Sequence, residues 1–137
     1  MDAVTRTPVP VNEPVRMYAP GSPERASLQA RLTEIAGSHY ELTATIGGEQ
    51  RFGHGEEMDV VQPHARHHVL GTMRGSTHAD AEAAMAAAKA AAPAWRDLSY
   101  DDRAAIFLKA ADLLAGSWLD TLYAATMLGQ SKTCYQA

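Results

Sequence analysis

Hydrophobic and polar positions divide this chain into stretches of different period. In "GSPERASLQARLTEIAG", Leu28, Leu32 and Ile35 recur at helical spacing. Ser22 is placed to cap, Pro23 suits the first helical position and Gly37 can close the end, so a helix is predicted over 23–36. The period then changes. Tyr40, Leu42, Ala44 and Ile46 alternate with Glu41, Thr43 and Thr45, and Gly47-Gly48 follows as a tight-turn signal, which predicts one strand entering a hairpin. Two further short strands are expected at 59–62 and 69–73, on either side of "PHARHH". Strands this short bury little alone and need a partner layer.

From Thr77 the pattern is helical. Thr77 with Asp80, and Ser99 with Asp102, have capping-box spacing and put acid in a first turn, where the helix dipole favours it. The first of these helices, 78–92, has Ala at ten of the fourteen positions 79–92 and is expected to end before Pro93. The second, 100–115, places Ile106, Phe107, Ala110, Leu113 and Leu114 on one face and stops at Gly116; the third, 118–128, presents Leu119, Leu122 and Tyr123 before Gly129. The expected arrangement is a helical hairpin packed on the alanine-rich helix. Upstream, prolines at 8, 10, 14 and 20 withhold backbone donors and favour extended backbone, so 1–21 reads as an arm.

Composition sharpens this picture in two ways. The chain has 137 residues and is 46% hydrophobic, but Ala fills 26 positions and Phe and Trp together only four, so the core is expected to be thin. The net charge of −4 argues against nucleic acid or anionic lipid as partners. One cysteine, no apolar signal core at the N-terminus and no run of ~18 apolar residues predict a reducing, cytoplasmic setting without a membrane span.

Candidate chemistry is sparse. His64, His67 and His68, with His54 nearby, have ligand chemistry for zinc, but adjacent His67 and His68 point to opposite faces when extended, and solvated loop histidines are the plainer reading. The glycines of "IGGEQRFGHGE" lead into Glu-Glu and a strand, not into the helix that a phosphate loop requires. "GQSK" at 129–132 lacks the upstream glycine spacing of a Walker loop. Cys134 could be a nucleophile if Lys132 and a helix starting at Ser131 lowered its pKa; a packing role is the alternative, since the histidines lie far upstream in another layer.

The segments "VNEPVRMYAPGSPERASLQARL", "TIGGEQ", "VQPHARHHVLGT", "WRDLSYDDRAAIFLKAADLLAG" and "LYAATMLGQSKT" resemble the N-terminal region of the 1-pyrroline-5-carboxylate dehydrogenase branch of the aldehyde dehydrogenase superfamily. The resemblance runs from Val11 to near the end of the chain. It implies the first part of an α/β aldehyde dehydrogenase fold, with 22–137 the truncated N-terminal part of the cofactor-binding domain: extended arm, helix, short hairpin and strands, then a helical hairpin. It also implies NAD as the cofactor of the longer enzyme, an aldehyde as substrate, the rest of that enzyme as partner and a homo-oligomer when complete.

The family's cysteine nucleophile, glutamate base and cofactor loop lie downstream of this region, so no catalytic, cofactor-binding or metal residue is expected here. Cys134 is expected to fall in a structural helix. On this reading the chain is a fragment, inert by itself. A free-standing helical module that docks on a partner protein is the alternative.

Overall fold

The structure, a computed structural model, describes residue 6 and residues 8–137. The first part of the expected arm, residues 1–5 and 7, lies outside the described residues. From residue 8 the arm carries no helix or strand until Pro20-Gly21 turn the chain, Gly21 at φ +81° and the Ser22 N–H donating to the Ala19 carbonyl at 3.0 Å.

Helix α1, Pro23–Ala36, has the expected bounds. Ser22 Oγ accepts from the Arg25 N–H at 3.3 Å, proline occupies the first turn, and the Gly37 N–H closes the end on the Thr33 carbonyl at 3.0 Å. The predicted single strand over 40–46 is two. β1, Tyr40–Leu42, pairs in parallel with β5, Ala65–Arg74, whereas β2, Ala44–Ile46, turns through Gly47 and Gly48 into β3, Glu49–Arg51. Both turn glycines have positive φ, +63° and +84°, as a two-residue hairpin loop requires. Alternation continues unbroken across Thr43 because a period of two records which face is apolar and not which neighbour is paired.

β4, Glu57–Gln62, completes a three-stranded sheet of order β1-β5-β4. Both β4 and β5 exceed their expected lengths. Only Pro63-His64 form the turn, so His67 and His68 belong to β5 and are not in a loop.

Helix α2, His78–Asp97, runs five residues beyond its expected end, with Pro93 inside it. Proline removes one helical hydrogen bond, and the alanines on both sides supply enough helix propensity to carry the backbone across. α3, Tyr100–Ala115, matches its predicted bounds, and α4 spans Leu119–Gln130.

The packing departs from the expected hairpin on the alanine-rich helix. α4 lies along α1 and against β4, and the core is Leu28, Ile35 and Leu70 with Ala124 and Leu128 of α4. Two side-chain bonds pin the helix pair: Ser27 Oγ to Asp120 at 2.5 Å and Arg31 Nε to Thr121 at 2.9 Å. α2 rests on the β2–β3 hairpin and meets α3 through an edge contact of Trp95 on Phe107, ring centroids 6.3 Å apart. Leu28 and Ile35 of α1 bury against Leu128 and the fully buried Ala124 of α4, whereas the many alanines of α2 offer little apolar area to hold a hairpin on it. The expected apolar face of α3 is present in sequence but unburied: Ile106 and Leu114 are 52% exposed and Phe107 is 66% exposed.

Candidate functional site

Three places combine polar chemistry with defined geometry. The first is the start of α2. Asp80 is buried, and its Oδ2 accepts from the Thr77 N–H at 2.7 Å, the Thr77 hydroxyl at 2.8 Å and the His54 N–H at 3.1 Å. Its Oδ1 lies 2.5 Å from His54 Nδ1. His54 reaches this carboxylate because glycines flank it: a Cβ at Gly53 would stand 2.3 Å from the Gly75 carbonyl oxygen, and one at Gly55 would stand 2.6 Å from it. The two passing backbones are joined by Gly55 N–H to Gly75 O at 2.8 Å and Gly75 N–H to Glu56 O at 2.9 Å.

The Thr77 backbone N–H first, then the His54 ring and amide and the Thr77 hydroxyl, hold the Asp80 carboxyl well below its ordinary value of 3.8. A depressed folded-state pKa means that Asp80 stabilises the fold above about pH 4 and that this contribution drains away as pH falls further. The melting temperature should therefore drop steeply between about pH 4 and pH 2. In Asp80→Asn it should already be lower at neutral pH and should change less over that interval. Parallel pH profiles for the two proteins would show that Asp80 does not hold the loop to the helix.

The same cluster decides the glycine-rich stretch. The N-terminus of α2 is filled by the chain's own carboxylate, and the other helices also carry acid in the first turn: Glu24, then Asp101 and Asp102, then Asp120. Dinucleotide pyrophosphate wants free N–H groups and a positive dipole end. The described residues do not fit it.

The histidines of "PHARHH" form the second place. His64 Nδ1 is 2.8 Å from Ser131 Oγ, and His68 Nε2 donates to the Ala36 carbonyl at 2.6 Å. These bonds tie the β4–β5 hairpin to the ends of α4 and α1. Among the described residues no three His, Cys, Asp or Glu side chains converge as metal ligands.

Cys134 is the third. Ser131 does not start a helix; it ends α4 in left-handed backbone, φ 55°. Cys134 lies beyond it in a turn, where the Thr133 N–H donates to the Gln136 side chain at 2.9 Å and the Ala137 N–H reaches back to the Thr133 carbonyl. One of the histidines, His64, is nearer to this region than the sequence suggested, but its bond goes to Ser131. The cysteine packs against the core with Tyr18, Tyr123 and Met127, and burial pushes its thiol pKa up, with Arg25 opposing weakly. A raised pKa favours the inert thiol, which suits packing and not attack.

What sequence reasoning missed is an apolar groove of about 690 Å³ between α1, α4 and the sheet, lined by Ile35, Leu42, Val60, Leu70, Trp118 and Leu128 among others. Leu42 and Trp118 remain 44% and 53% exposed there. The Arg31 guanidinium at this groove is already engaged by Thr121 and Glu34. With the open face of α3, the groove gives the domain two apolar surfaces, and no catalytic set converges among the described residues.

Comparison with known proteins gives these surfaces a setting. Residues 51–137 match the aldehyde dehydrogenase family. The crystal structure of the Delta-pyrroline-5-carboxylate dehydrogenase of Mycobacterium tuberculosis bound with NAD is 55% identical, with a TM-score of 0.94, over 99% of this chain and 25% of that one. The Delta-1-pyrroline-5-carboxylate dehydrogenase of Agaricus bisporus is 42% identical over 98% of this chain and 25% of its own. A human relative, Delta-1-pyrroline-5-carboxylate dehydrogenase, mitochondrial, is 36% identical over 92% of this chain and 22% of its own. The chain thus spans about a quarter of the length of the relatives it matches.

Proposed function

Because this chain belongs to the aldehyde dehydrogenase family, we propose that it serves as the N-terminal portion of an NAD-dependent 1-pyrroline-5-carboxylate dehydrogenase, which oxidises L-glutamate γ-semialdehyde to glutamate in proline breakdown. The observation that carries the reading is the agreement of sequence and backbone with the M. tuberculosis enzyme along almost the whole chain. Within that enzyme the described residues take no step of the chemistry. Their part is mechanical: α1, α4 and the sheet form a wedge whose groove and α3 face receive the remaining polypeptide.

The cofactor follows the same logic. NAD supplies the hydride acceptor of the reaction, and with every helix N-terminus of this domain charged by its own acid, the dinucleotide is held by other parts of an enzyme of the relatives' length. The other partners proposed are the aldehyde substrate and further copies of the complete subunit. No helix among the described residues is long and apolar enough to cross a membrane. The cytoplasm is the compartment proposed from the single free cysteine, although several relatives carry mitochondrial names.

A chimera tests this. The aligned quarter of the M. tuberculosis enzyme is replaced by these 137 residues, and NAD-dependent oxidation of 1-pyrroline-5-carboxylate is measured. The kcat/KM should stay within about tenfold of the parent, a barrier change of ~1.4 kcal/mol. A chimera that melts cooperatively and binds NAD yet shows no turnover would sink the proposal and favour a docking module.

A further inference from the structure

We draw no further inference here: the strongest candidate, the apolar groove between α1, α4 and the sheet with Leu42 and Trp118 at its open side, carries nothing new, because nothing in the structure shows what covers it and its cover by the remaining polypeptide is already part of the proposed function.

Discussion

Gly71→Ala is expected to detach β1 from the sheet and to lower stability by ~3 kcal/mol, more than its single added methyl group suggests. Gly71 lies in β5 between Tyr40 of β1 and Val60 of β4. A Cβ there would stand 2.1 Å from the Tyr40 carbonyl oxygen, 3.0 Å from its carbonyl carbon and 3.2 Å from its Cα. All three are backbone atoms, so no side chain can swing aside, and relief requires strand separation. Losing the β1–β5 bonds adds roughly 1 kcal/mol for each one left unpaired. Urea unfolding should show a lower midpoint with little change in slope. A variant within about 0.5 kcal/mol of the parent, the range of neutral surface changes, would mean that β1 is not seated closely against β5.

The second large effect is Leu28→Ala, for which a loss of ~2–5 kcal/mol is expected. Leu28 is 4% exposed and packs in the cluster with Ile35, Leu70, Ala124 and Leu128. With so few large buried side chains, removing one takes a considerable share of the ~5–15 kcal/mol typical of a domain. The contrast is with Ile106→Ala on α3, a substitution of similar chemistry at a position 52% exposed, which should cost within about 0.5 kcal/mol. If thermal melts of the two variants coincide, Ile106 is as deeply buried as Leu28 and the core is not confined to α1, α4 and the sheet.

These two positions also mark what could be read from the sequence. The bounds of α1 and α3 follow from chemistry a few residues long, Ser22-Pro23 and Ser99 with Asp102, so they were legible. The glycine pair of the β2–β3 hairpin was legible for the same reason. Gly71 was not, because its importance lies in the approach of Tyr40, thirty-one residues away, and a glycine inside an apolar run gives no sign of it. The division of 40–46 into two strands and the extension of α2 through Pro93 were hidden likewise: local pattern was continuous in the first case and overruled in the second.

The candidate site shows the same division. The resemblance to an aldehyde dehydrogenase was carried by contiguous motifs such as "DRAAIFLKAADLLAG", and the family match over 51–137 agrees with it. The clasp of His54 on Asp80 joins residues twenty-six apart, and only the capping half of it, Thr77 with Asp80, had a local signature. The groove escaped notice because its walls, Ile35, Leu70 and Leu128, come from three separate elements.

The pairing of α1 with α4 joins the chain across a long interval: Ser27 bonds Asp120, ninety-three residues on, and Arg31 bonds Thr121, ninety residues on. On a ribosome adding ~5–20 residues per second, α1 therefore waits roughly 5–18 s for the helix that covers Leu28 and Ile35. The β4–β5 hairpin and the capped α2, whose partners lie close in sequence, can form well within that time. Nascent α1 thus keeps Leu28 and Ile35 without their helical cover until some ninety further residues have been added and α4 has emerged.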